Sequence, residues 1–323
     1  AGLVNLTFAG TGAVAATSGA AAAWPDTFGL AHAGLSCVLF AVGTGGLLWA
    51  YALGVARSRT EYLWLEEASR HAPAAVPRLM GYDETAQLFA LEWLDPARYR
   101  WWKGLLRDGD VEVATARALG AMLARIHAGT AGRDDIARAF ATDAIFHAIR
   151  LEPYLLATAE AHRDLAPRLE ALARTTAETR RALVHGDVSP KNILVGPDGP
   201  VLLDAECAWY GDPAFDVAFC LNHLLLKGLW NRAAAGRLIE AFGGLVETYA
   251  AGVTWEPRAE LLRRIADLLP GLLLARVDGK SPVEYLNDEA QMNIVRRAAL
   301  GLLVAPVSTL SGVLARWNEE LQP

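Results

Sequence analysis

Hydrophobic and polar positions divide the chain into two textures. From Ala1 to Pro25, and again from Thr27 to Ala56, no residue carries a formal charge, and only Asp26 interrupts the two runs. A helix rises about 1.5 Å per residue, so roughly 20 apolar residues span a bilayer core. The second run, GLAHAGLSCVLFAVGTGGLLWAYALGVA, meets that length. It closes on Trp49 and Tyr51 and then on Arg57 and Arg59, an aromatic and positive-inside ending. The first run is mostly Ala, Gly, Thr and Ser, small residues that suit close helix contact. WPDTFG between them reads as a tight turn. The pattern predicts a transmembrane helical hairpin over 1–59, with membrane contact through 1–56 and the remainder cytoplasmic. Without insertion of the hairpin, the whole chain is cytoplasmic. Gly10-Thr-Gly12 lacks the βαβ unit that a dinucleotide fingerprint needs, and is read as small residues packing helices.

From Thr60 the texture becomes that of a folded body. Thr60 is placed to cap a helix through EYLWLEEASRHA. VPRLMGYDETAQLFALEWLD predicts two short strands around a polar turn, Tyr82 to Gln87. DVEVATARALGAMLARIHAGT is amphipathic at helical period, and helices are also expected near 134–147, 151–162 and 166–180. ALVHGDVSPKNILVGPDGPVLLDAE reads as strand, polar loop, strand, Gly-Pro-Asp-Gly turn, strand. After Pro213 the pattern is helical to the end, near 214–227, 231–250, 257–274, 283–304 and 306–320.

Composition narrows the function classes. The 323 residues are 53% hydrophobic and 20% charged, too apolar for general disorder. The net charge of −6 argues against a nucleic-acid partner. Three widely spaced cysteines, Cys37, Cys207 and Cys220, give neither a disulfide framework nor a CxxC metal site. Lysine is scarce: none precedes Lys103.

The chemistry-bearing stretch is His185-Gly186-Asp187-Val188-Ser189-Pro190-Lys191-Asn192, then an apolar hairpin, then Asp204. Phosphoryl transfer needs a carboxylate that orients and deprotonates the attacking hydroxyl, and a carboxylate and amide oxygen that hold Mg²⁺. Asp187 and Asn192, five apart on one loop, supply one of each, and a tight hairpin returns Asp204 beside them. Glu206, two residues on, faces the same cleft through water or a second metal.

With these motifs the chain resembles the aminoglycoside phosphotransferase-like (APH) small-molecule kinases, a group that includes choline and methylthioribose kinases. The resemblance runs from about Glu61 to the C-terminus and extends to GDPAFDVA. It implies an α+β, protein-kinase-like fold: a partial small lobe at 60–95 and a mostly helical large lobe at 96–323. It implies ATP and Mg²⁺ as cofactors and a small-molecule hydroxyl as acceptor, of the aminoglycoside, choline or sugar kind. By resemblance Asp187 is the base, Asn192 and Asp204 are metal ligands, and Asp216 braces the catalytic loop. Leu91-Glu92-Trp93-Leu94 resembles the hinge that binds adenine, and Glu61 falls where the αC glutamate lies. His185 orders the loop. Lys191 reaches either a γ-phosphate or solvent. Candidates for the substrate side are Trp209 and the polar island containing Arg276, Asp278 and Lys280. The family's three strands before αC, and the lysine that pairs with its glutamate, have no counterpart in the sequence. This predicts a truncated small lobe, impaired turnover and, as the alternative, a membrane-tethered pseudokinase that binds nucleotide or acts as a scaffold.

Overall fold

The computed structural model describes residues 5–8, 44–86 and 88–321, with side chains from Arg57 onward. The expected hairpin falls mostly on residues 9–43, outside the described residues, but both of its described ends differ from expectation. Asn5–Phe8 is a strand, β1, not part of a helix. Thr44–His71 is one continuous helix, α1. Among the described residues no helix is long and apolar enough to cross a membrane. From Thr44 the second run continues without a break into the αC-like helix, and Thr60 sits inside that helix rather than capping it. The physical reason is that neither Gly nor Pro occurs between Val55 and Ala72, so nothing interrupts helix propagation until Pro73.

Strands β2 (Leu79–Asp83) and β3 (Leu88–Leu91) form the expected hairpin. β1 adds to the other edge of β3, with Asn5 opposite Leu91 and Phe8 opposite Leu88, giving the antiparallel order β1-β3-β2. The small sheet thus recruits a strand from the segment read as membrane helix. The free edge of β3 would otherwise present unpaired backbone groups.

Past the hinge, β4 (Arg100–Trp101) precedes helices α2 (Trp102–Asp108) and α3 (Val113–Thr130). α4 (Asp134–Ala139) and α5 (Asp143–Phe146) follow. A π-helical segment, His147–Leu156, encloses Pro153 and leads into α6 (Ala157–Ala161) and α7 (Ala166–Glu178). Proline has no N–H to donate, and the wider turn accommodates it.

β5 (Ala182–Val184) enters the loop, and β6 (Ile193–Gly196) and β7 (Gly199–Leu202) form the hairpin after it. β8 (Trp209–Gly211) pairs with β5, and β4 pairs with β6; neither two- or three-residue strand carries a periodic signal in the sequence. The C-terminal helices are α8 (Ala214–Trp230), α9 (Ala235–Ala251), α10 (Arg258–Asp278), α11 (Glu289–Val304) and α12 (Leu310–Leu321). Every residue of α8 from Ala214 to Leu229 is buried, as expected of a central helix apolar on all sides. It packs on α9 and α10 and sets the floor under the loop.

Candidate active site

The loop is held from below by one carboxylate. Asp216, fully buried in the first turn of α8, accepts the backbone N–H of His185 at 2.8 Å on Oδ2 and that of Gly186 at 2.8 Å on Oδ1. Its Oδ2 also meets His127 Nε2 at 3.3 Å, and His127 Nδ1 meets the Tyr249 hydroxyl at 2.9 Å. Asp216 thus ties α8 to the backbone of the loop, with His127 and Tyr249 behind it.

Gly186 adopts φ +79°, and a Cβ there would lie 2.9 Å from the carbonyl oxygen and Sγ of Cys207. Both facts require glycine at the turn. His185 is buried and its pKa is lowered by that burial, against the opposing pull of Asp216 and Asp187. The N–H of Asp187 donates to His185 Nδ1 at 3.1 Å, so the ring proton sits on Nε2, which reaches Leu203 O at 3.2 Å. A neutral His185 thus ties the start of the loop to the residue before Asp204, the ordering role expected of it.

Asp187 is 4% exposed. Its Oδ2 meets Arg150 Nη2 at 2.8 Å and Lys191 Nζ at 3.1 Å. Burial alone would raise its pKa, but Arg150, then Lys191 and His185, outweigh burial and hold the carboxyl far below the usual range. Arg150 lies in the π-helical segment and also donates Nε–H to Gly186 O at 2.5 Å, so it clamps both the side chain and the backbone of the loop. Sequence reasoning missed it because no motif surrounds it. The available signal was a lone arginine in the apolar run AIRLEPYLL, three residues before a proline within a helix.

The hairpin brings the second half of the site back. Leu203 N donates to Asn192 O at 2.9 Å, which sets Asn192 beside the residue preceding Asp204. Asn192 Nδ2 donates to Asp187 O at 3.2 Å, which keeps the amide oxygen for a cation. Asp204 turns the chain with φ 65°, and its N–H donates to Glu61 Oε1 at 3.1 Å.

Glu61, on α1, thus meets the backbone of Asp204. Its pKa is raised well above normal by burial and then by the charges of Asp204 and Glu206. Arg57, one turn earlier, points to Glu206 at 3.9 Å. Its Nε is buried with no hydrogen-bond partner among the described residues. Glu61, Asp204 and Glu206 form an acidic group of the kind a divalent cation relieves, with Asn192 adjoining it. Among the described residues no three His, Cys, Asp or Glu side chains converge closely enough to complete a metal cage by themselves. An oxygen set finished by phosphate and water is the arrangement magnesium prefers.

The other candidates fall less uniformly. At the hinge, Glu92 N donates to Arg78 O at 2.9 Å and Arg78 N donates to Glu92 Oε1 at 2.8 Å. The Glu92 amide is therefore taken, leaving Leu91, Trp93 and Leu94 for a base; Leu91 is buried and Trp93 is 45% exposed.

Trp209 does not line a cleft. It is buried, stacked on Phe146 at 4.2 Å, with its indole covering Gly211, so it packs the core instead of a substrate ring. Asp278 is clamped between His162 at 2.8 Å and Arg296 at 2.9 Å, and exposed Lys280 pairs with Glu152 at 3.1 Å. Neither bears on the loop. Arg276 does point inward: it is buried, with Nη1 3.0 Å from the Tyr154 hydroxyl.

The family model described as the phosphotransferase enzyme family, APH, matches residues 50–261, more than half of the chain, and the chain belongs to that family. It is 28% identical over 207 residues to a methylthioribose kinase of Cronobacter sakazakii (strain ATCC BAA-894), a match covering 55% of this chain and 50% of the relative. The chain thus spans about half the length of the curated relatives it matches. Among solved structures, an amicoumacin kinase in complex with AMP-PNP, Ca²⁺ and Ami aligns at 15% identity and TM-score 0.46, over 78% of this chain and 79% of its own. An aminoglycoside phosphotransferase from Alicyclobacillus acidocaldarius subsp. acidocaldarius DSM 446 aligns at 19% identity and TM-score 0.45, over 83% of each.

Proposed function

We propose that the chain transfers the terminal phosphoryl group of ATP, with Mg²⁺, to a hydroxyl group of a small molecule. The observation that carries this reading is the meeting of Asp187, Asn192 and Asp204 on one loop and hairpin, inside the segment that matches the family model.

Asn192 and Asp204 would hold the metal, with Glu206 beside them. When bound, the metal neutralises charge on the transferring phosphate. Asp187 has Oδ2 occupied by Arg150 and Lys191, which leaves Oδ1 for the acceptor hydroxyl. A carboxylate held so far below neutral is a weak base. It orients the hydroxyl and takes its proton late, which suffices because the transition state of phosphoryl transfer is loose. Lys191 and Arg57 are the cations on the phosphate side of the cleft, and Arg57 stands in for the absent lysine. A guanidinium fits that position less well than an ammonium, so turnover is below that of a complete family member.

The test is ADP release from ATP and Mg²⁺ across a panel of hydroxylated acceptors. Asp187→Asn should lower turnover by about 10²–10⁴-fold, and because it leaves buried Arg150 without its carboxylate, circular dichroism is used to show that the variant is folded. Equal rates in the two proteins would refute the assignment.

A further inference from the structure

Behind Asp187, along α8, the large lobe buries cationic groups that the transfer chemistry does not use. The connection is continuous. The Arg150 guanidinium lies 5.7 Å from the ring of Phe219, and the Phe219 ring lies 5.4 Å from that of His223, one turn on. His223 Nδ1 is 3.3 Å from the Tyr285 hydroxyl. One further turn along, Lys227 is 1% exposed, with its ammonium 4.2 Å from the Tyr285 ring centroid and 4.8 Å from that of Trp230.

Lys227 Nζ has no hydrogen-bond acceptor among the described residues, and the same holds for Nε of Arg276, opposite on α10. Asn222, on the same turn as His223, leaves both amide atoms unpartnered as well. The one acid whose charge acts on Lys227 is Glu284, and it is already bonded to Lys103. The other charges acting on Lys227 are Lys103 and Arg107. Burial, then Lys103, pulls the Lys227 pKa down to about 8, with Glu284 opposing. At His223 the charges of Arg276, Lys227 and Lys191 are opposed by Asp187 alone.

A buried ammonium without an acceptor is costly unless a counter-charge arrives. Rings beside it offset part of that cost but supply no hydrogen bond. Trp230 and Tyr285, the two rings against Nζ, are half-buried, so a ligand reaches Nζ only if one of them moves.

We propose that this cluster is the far wall of the acceptor site and that the acceptor is anionic: a hydroxylated compound whose carboxylate or phosphate pairs with Lys227 and Arg276 while its hydroxyl meets Asp187. The proposal rests on the phosphotransferase reading for the hydroxyl, but the anion site itself does not. A cationic acceptor such as an amino alcohol or aminoglycoside would meet repulsion here, despite the net charge of −6 for the whole chain.

The experiment uses the full chain and two readouts, thermal shift and ADP release. The probes are D-gluconate and glucose 6-phosphate, with sorbitol as the neutral control and choline and kanamycin as cationic ones. The two anions should raise the melting temperature of the wild type while sorbitol, choline and kanamycin do not. Lys227→Met should weaken the anion effect by about tenfold or more, and Lys227→Arg should restore most of it. Methionine is a neutral side chain of similar length, so the variant is expected to fold, and the arginine variant separates loss of charge from loss of packing.

Anion shifts that vanish in Lys227→Met, with no ADP release on any acceptor, would uphold the anion site and defeat the phosphotransfer reading. Phosphorylation of choline or kanamycin without any anion shift would defeat the anion proposal and leave the phosphotransfer reading standing. Wild-type behaviour of Lys227→Met toward gluconate and glucose 6-phosphate would overturn the proposal whatever the turnover.

Discussion

Arg150 and Asp187 form an ion pair inside the large lobe. Both are largely buried, 2.8 Å apart, and Arg150 also holds Gly186 O. Removing one partner of a buried pair leaves the other charge uncompensated, at a cost of about 3–5 kcal/mol. Arg150→Met should therefore destabilise the fold by about that amount at pH 7, read by urea denaturation. The sign of the pH dependence follows from the depressed carboxyl. Its unfolded value is about 3.9, so its contribution is complete above that value and lost as pH falls toward the folded value. In Arg150→Met, burial is opposed mainly by Lys191, so the folded value rises and acid unfolding begins at higher pH than in the wild type. In Asp187→Asn there is no charge left to strand, and adding Arg150→Met to it should cost less than Arg150→Met does alone.

Elements were legible where the pattern was long or the chemistry specific. The HGDxxxxN loop, its hairpin and the helices after Pro213 all stand within a few residues of where periodicity puts them. Strands β4 and β8 were not, because two or three residues cannot show a period and are set by pairing with β6 and β5. α1 was divided in two by reading hydropathy alone: a charge-free stretch satisfied the membrane criterion, while the uninterrupted helical propensity across Arg57 and Arg59 was given less weight. Trp209 follows Asp204 closely, a position open in the sequence either to a substrate ring or to packing of the large lobe, and β8 carries it into the core. Its place between Phe146 and Gly211 makes Trp209→Ala a cavity mutation in a junction of β8 and α5. The expected loss is about 3–5 kcal/mol, measured by thermal or urea unfolding.

On the scale of the whole molecule, the charges of Asp204 and Glu206 act on Glu61 on α1, while those of Arg276, Lys227 and Lys191 act on His223 within the large lobe. Glu61, with its raised pKa, opposes folding progressively as pH rises through that raised value, the reverse of Asp187. Mg²⁺ with ATP should accordingly raise the melting temperature, by about 2.7 kcal/mol of stabilisation at a hundredfold excess over Kd. Asp204→Ala should lose most of this rise, and an unchanged rise would remove Asp204 from the metal set.

The carboxylate of Asp216 joins the first turn of α8 to two consecutive amides that lie about thirty residues earlier in the chain. Those two N–H groups are buried and their acceptor belongs to the most enclosed helix of the fold. Local breathing of the loop cannot free them, since their release requires α8 to separate from β5. In deuterated solvent the amides of His185 and Gly186 should therefore exchange as slowly as those in the middle of α8, at a rate set by global opening. The turn at His185 and Gly186 would then be among the last parts of this protein to unfold, although it lies in a loop without regular secondary structure.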